Sequence, residues 1–153
     1  MKKWKQKAIV QKTISYLPFS HKINYVFQKY VTKGVNLSDE YFSDRLGHAR
    51  DHIKSFHKFS VNQIPKSCLE IGTGWYPIVP LSFFLVGVDN IYSVDISLLT
   101  SKKRLQTTLF KFVEYRRSGL LQSYIDFLPD RFEVITNILS DYDKLSLHDV
   151  LQK

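Results

Sequence analysis

Two carboxylates and two glycines carry the chemistry legible in this chain. Glu70 stands two residues ahead of Gly72, Gly74 follows with Thr73 between them, and Asp95 comes 25 positions after Glu70. Each acid closes a short apolar run. Paired glycines let a backbone turn sharply and approach a ligand with no Cβ in the way. An acid at the entrance of such a loop can meet a cationic group. An acid at the tip of the next strand can accept both hydroxyls of a ribose. This is how a βαβ unit presents a glycine loop and a ribose-binding carboxylate to a nucleoside-containing cofactor.

The surrounding elements place these groups. Ser67–Ile71 reads as a strand, Gly72–Tyr76 as its loop, and Pro77 or Pro80 as the first turn of a helix, where a missing N–H costs nothing. Leu81, Phe83, Phe84, Leu85 and Val86 give that helix an apolar body, Gly87 ends it, and Ile91–Asp95 forms the second strand. A strand-to-helix crossover of this length gives parallel neighbours, and ligands bind beyond the carboxyl ends of such strands.

Leu69-Glu70-Ile71-Gly72-Thr73-Gly74 resembles motif I of the class I S-adenosylmethionine-dependent methyltransferases, and Val94-Asp95-Ile96 resembles their acidic motif after the second strand. The resemblance covers about residues 65–120. It implies that Glu70, Gly72, Thr73 and Gly74 surround the methionine part of S-adenosylmethionine, that Asp95 binds the ribose and that Ile96 packs on the adenine. It implies methyl transfer to an acceptor that the sequence does not name, and it assigns no catalytic residue. The third glycine common in the family is replaced by Tyr76. A dinucleotide site would want glycine where Pro77 stands. An acid two residues before the first glycine also suits a cationic methionine tail better than a pyrophosphate.

Upstream, residues 3–16 read as a helix ended by Leu17-Pro18. Ser20 caps a second helix through Ile23, Val26, Phe27 and Tyr30, stopped at Gly34. Ser38-Asp39-Glu40 opens a third, with Phe42, Leu46, Ala49, Ile53 and Phe56 in one stripe. Residues 1–58 are thus expected to form a helical cap, and residues 65–153 the first part of a Rossmann-like methyltransferase domain. The fold class is α/β: a partial Rossmann-like fold with its first βαβ unit behind an N-terminal helical cap.

Further on, Leu98–Arg117 reads as a long helix with a solvated basic face and Gly119 as its break. Leu120–Leu128 reads as a short helix stopped by Pro129, Phe132–Ile135 as the only other strand-like piece, and Ser146–Gln152 as the start of a helix. Nothing after Arg117 reads as a run of strands alternating with helices. The chain is therefore expected to be the N-terminal part of a longer methyltransferase, carrying half of the cofactor site.

Net charge is +8, and its placement is uneven. Residues 1–38 hold eight lysines and no acid, while 14 basic and 14 acidic residues balance in the remainder. Such an arm suits an anionic partner, whether membrane surface, nucleic acid or acidic substrate. The alternative function is then a non-catalytic interaction piece that docks through this arm. The single Cys68 excludes a disulfide framework within the chain and fits a reducing, cytoplasmic setting. No apolar run is long enough to span a bilayer. His48 and His52 share a helix face, but no third ligand is evident beyond the nearby Asp51 and His57, so no metal site is expected.

Overall fold

A computed structural model describes residues 3–19, 23, 25–26, 36–60, 63–95 and 98–151. The chain divides into two compact units, Met1–Asn36 and Leu37–Lys153.

In the first unit, helix α1 spans Lys3–Ser15. It is basic throughout its length and has no acid in its first turn. Its last turn closes with Leu17 N–H on the Ile14 carbonyl at 3.0 Å, ahead of Pro18, which cannot continue a helix. The helix expected from Ser20 to Gly34 lies largely outside the described residues.

The second unit begins with α2, Asp39–Ser60. Asp39 and Glu40 occupy its first turn, where the helix dipole favours negative charge. Phe42, Leu46 and Ala49 are fully buried, Ile53 half-buried and Phe56 exposed. The expected stripe therefore stops being core after about three turns. α2 belongs to the same unit as the sheet, so the division falls at Asn36–Leu37 and not after residue 58.

The sheet has two parallel strands, β1 (Ser67–Ile71) and β2 (Asn90–Val94), joined through α3 (Ile78–Leu85). Cys68 pairs with Ile91, Leu69 with Tyr92, Glu70 with Ser93 and Ile71 with Val94. Side chains alternate faces along a strand. Cys68 and Ile91 thus share the face that packs on the core. Leu69, Ile71, Tyr92 and Val94 share the other, where they are 63%, 81%, 61% and 55% exposed. Among the described residues no layer covers that face, although parallel sheets are ordinarily buried on both.

Three more helices complete the unit: α4 (Lys102–Arg117), α5 (Pro129–Ser140) and α6 (Leu147–Leu151), with 3₁₀ turns at Leu121–Ser123 and Tyr142–Lys144. Ser101 caps α4, its hydroxyl accepting from Arg104 N–H. Leu98–Thr100, expected as helix, precede that cap as loop. The strand expected at Phe132–Ile135 is instead the middle of α5. Pro129 starts this helix where it was expected to stop one, because φ near −65° and no N–H suit the first helical turn. Phe132, Ile135 and Ile138 step by three onto one buried face. The helix expected over Leu120–Leu128 is only the short turn at Leu121–Ser123.

Phe42 from α2 locks this core. Its ring meets Phe112 at 5.0 Å and Tyr115 at 4.6 Å between centroids, both edge-on, an arrangement favoured by the ring quadrupoles. At the rim Lys111 pairs with Asp39 at 2.6 Å and Glu114 at 2.8 Å. The unit is thus a small α/β assembly around a two-stranded parallel sheet.

Candidate functional site

The loop leaving β1 is pinned at three points. Gly72 N–H donates to the Val94 carbonyl at 2.7 Å, extending the ladder by one rung. Gly74 N–H donates to Asp95 Oδ2 at 2.9 Å. The Thr100 hydroxyl donates to the Gly74 carbonyl at 3.1 Å. Both glycines have positive φ, 84° and 73°, and a Cβ at either would meet nothing within 4 Å. Glycine is required here by the backbone conformation, and the space above it is open to a ligand.

Strand β2 ends at Val94, one residue short of the expected Ile91–Asp95, so Asp95 sits just beyond the strand tip. Across the loop, Glu70 lies opposite Ser93, whose hydroxyl is 3.5 Å from Oε2. Burial pushes the Glu70 carboxyl above its usual range. The Thr73 and Ser93 hydroxyls and the positive charge of Arg45 pull it down, and the negative charge of Asp95 pushes it up again. A half-buried carboxylate facing a like charge favours a cationic partner. Thr73 Oγ1 is buried beside the Glu70 carboxyl, and Thr73 also lines the adjoining cavity.

That cavity has a volume of about 620 Å³, within the usual range for small-ligand sites. Its polar end is formed by Thr73, Gly74, Asp95 and Thr100. Its apolar body lies between α3, α4, α5 and α6. Glu70 and Gly72 adjoin the loop but do not line the cavity. Ile96 lies outside the described residues. The structure therefore gathers Thr73, Gly74 and Asp95 around one cavity and keeps Glu70 on the neighbouring side of the same loop.

Thr100, Arg104 and Arg116 had no signature of a contact in the sequence. Thr100 holds the Gly74 carbonyl. Arg104, expected on a solvated face, stacks over Trp75 at 4.3 Å and donates to the Leu99 carbonyl at 2.7 Å. Arg116 likewise lies over Phe132 at 4.3 Å. Tyr41 and Tyr76 meet edge-on at 6.5 Å, and Arg45 stacks on Tyr41 at 5.1 Å. The available signal was proximity to the loop: Thr100 and Arg104 follow Asp95 by five and nine residues.

Comparison with protein-family models, curated proteins and solved structures finds no match to this chain.

The residues present fit S-adenosylmethionine. Asp95 offers a carboxylate at the strand tip, Glu70 an acid for a cationic amino group, and Thr73 a buried hydroxyl beside that acid. The glycines leave open space. A pyrophosphate fits poorly. Such groups bind to unspent N–H donors at a helix start. Here Gly74 N–H is already given to a carboxylate. Pro77 and Pro80, both buried at the start of α3, have none to offer. Among the described residues no cluster of three or more His, Cys, Asp or Glu could hold a metal ion.

Proposed function

We propose that this chain binds S-adenosylmethionine on a Rossmann-like βαβ unit and serves methyl transfer to an acceptor nucleophile. The observation that carries the reading is the brace between the Gly74 N–H and Asp95. It couples the glycine loop to the acid at the tip of the next strand and spends the donor that a phosphate would need. When bound, S-adenosylmethionine supplies a methyl group activated by its sulfonium charge. The chain's own residues bind and orient: Asp95 receives the ribose hydroxyls and Glu70 the α-amino group, with Thr73 beside them holding the Glu70 carboxyl. Methyl transfer needs in-line placement of the acceptor, so catalysis of this type rests largely on proximity and orientation. No residue is assigned as general base.

Thermal unfolding with added ligand tests the reading. A ligand that binds only the folded state at one hundred times its Kd adds about 2.7 kcal/mol of stability. S-adenosylhomocysteine is expected to raise Tm, and the dinucleotide NAD to leave it unchanged. Stabilisation by NAD alone would overturn the proposal.

A second reading concerns the first unit. α1 carries no acid in its first turn, and residues 1–38 hold eight lysines against no acid. An anionic surface is the partner this charge selects. Binding to anionic vesicles or DNA that weakens with salt, and is lost when the lysines at 2–12 become glutamine, would support it. Salt-independent or absent binding removes it. No helix among the described residues is long and apolar enough to cross a membrane.

A further inference from the structure

The cavity beside the glycine loop is built in part from elements that the cofactor reading does not use. Val134, Ile135 and Ile138 of α5 and Val150 and Leu151 of α6 contribute to its lining. All five lie beyond the stretch that resembles the methyltransferases. Leu105 and Leu109 of α4 are fully buried and line the cavity, and so do Leu98 and Leu151, which are 87% and 62% exposed. A cavity that touches both sets runs from solvent into the core, with leucines at its rim. Close-packed interiors keep few voids larger than a water molecule. An apolar void of about 150 Å³ already holds a benzene-sized molecule, and this cavity measures about 620 Å³.

Charge decides what kind of molecule suits this space. The chain holds 22 lysines and arginines. Yet among the described residues that line the cavity none is cationic, and Asp95 alone carries a charge. A phosphate, sulfonate or carboxylate drawn into the apolar body would lose its hydration and gain no counter-charge, which is costly. The polar groups gather at one end. Asp95 Oδ2 accepts from Gly74 N–H at 2.9 Å, and the Thr100 hydroxyl donates to the carbonyl of that glycine at 3.1 Å. An apolar pocket with a few convergent polar groups orients a ligand of the same pattern.

We propose that this cavity binds a neutral amphiphile, its hydrocarbon body between α3, α4, α5 and α6 and its uncharged polar head towards Thr100 and Asp95. The inference deepens the reading above by naming the class of the methyl acceptor, and it rests on that reading for the acceptor role alone. Binding of the amphiphile does not depend on the cofactor. In the acceptor role the nucleophilic atom of the head bonds to the methyl carbon while the carbon–sulfur bond breaks onto sulfur, and the proton of the head passes to water. An anionic acceptor, which the basic N-terminal arm would attract, finds no counter-charge in this cavity.

The test is fluorescence titration of the full chain with N-phenylnaphthylamine and with anilinonaphthalene sulfonate, which share a ring system and differ by one negative charge. The neutral probe is expected to fill one saturable site and the sulfonate to bind it roughly tenfold more weakly, against the pull of a net charge of +8. Decanol is expected to displace the neutral probe, and decanoate to leave it in place. Val134 is half-buried on α5, and Val134→Trp fills the cavity and should remove most of the probe binding. Tyr92→Ser removes an exposed ring that does not line the cavity and should change nothing. Equal or tighter binding of the sulfonate overturns the inference, as does a probe lost with Tyr92→Ser and kept by Val134→Trp. If the tryptophan variant does not fold, the neutral and anionic pairs on the wild-type chain decide. Saturating S-adenosylhomocysteine should leave the affinity for the neutral probe intact. Competition between the two would assign the apolar body to the cofactor, overturning the inference and leaving the cofactor reading standing. Probe binding by a chain that does not bind S-adenosylhomocysteine upholds the cavity and overturns the cofactor reading. Failure of every compound to bind overturns both.

Discussion

The Gly74 N–H donates to Asp95 Oδ2 at 2.9 Å, and the Thr100 hydroxyl donates to the carbonyl of the same glycine at 3.1 Å. One peptide segment is thereby held from both sides by residues that follow β2. A hydrogen bond to a charged group contributes about 1.5–3 kcal/mol. Asp95→Ala is therefore expected to loosen the loop as well as remove the ribose acceptor. Thr100→Val keeps Asp95 and removes only the second brace. It is expected to weaken S-adenosylhomocysteine binding several-fold by calorimetry, with little change in Tm.

Glu70 gives a pH dependence with a definite sign. Burial raises its carboxyl above the unfolded range, so the folded state holds the proton more tightly. Stability from this group is fully present below the unfolded pKa and is lost as pH rises through the raised folded value. Glu70→Gln is expected to increase denaturant-measured stability at neutral pH and to flatten its fall above the ordinary carboxylate range. The same substitution should weaken S-adenosylhomocysteine binding at least tenfold. Wild-type affinity should rise with pH as Glu70 ionises, with proton release visible in buffers of different ionisation enthalpy.

The glycines separate loop geometry from folding. Gly72 and Gly74 adopt positive φ with open space where a Cβ would stand. Gly74→Ala therefore pays backbone strain of about 1–2 kcal/mol without a packing clash and extends a methyl into the ligand's space. It is expected to lower affinity more than stability. Gly87, at φ 107°, is the control. Its added Cβ would lie 3.1 Å from Leu128 Cδ1, so Gly87→Ala should lower Tm and leave ligand affinity of the folded protein unchanged.

Core and bare sheet face should respond oppositely to truncation. Phe42 and Phe112 are fully buried and in edge-on contact. Phe112→Ala is expected to cost about 3–5 kcal/mol in urea unfolding. Tyr92 and Leu69 are more than half exposed. Tyr92→Ser and Leu69→Ser are expected to change stability by about 0.5 kcal/mol or less. A large loss at either would mean that something covers this face in solution.

Much of the site was legible because it is local. β1 follows from an apolar run closing on an acid and two glycines, and β2 from the next such run, one residue earlier than the pattern suggested. Asp95 consequently falls just outside its strand. The misread segments were those where one residue type has two structural uses. Pro129 ends one helix pattern and begins another with equal ease, and only the burial of Phe132, Ile135 and Ile138 at steps of three settles it as a start. The braces were invisible for a different reason. Thr100 and Arg104 act through a chain reversal that brings them back onto Gly74 and Trp75, and no periodicity encodes such a contact. The unit boundary at Asn36–Leu37 was likewise hidden, since the stripe on α2 shows that a face is buried but not against what.

Titration of the full chain and of Asp95→Ala with S-adenosylhomocysteine, each shown to be folded by circular dichroism, tests the central claim most directly. The expected result is one saturable site on the wild-type protein, weakened at least fiftyfold by the substitution. Equal affinity in the two proteins, or no binding by folded wild type, would contradict it.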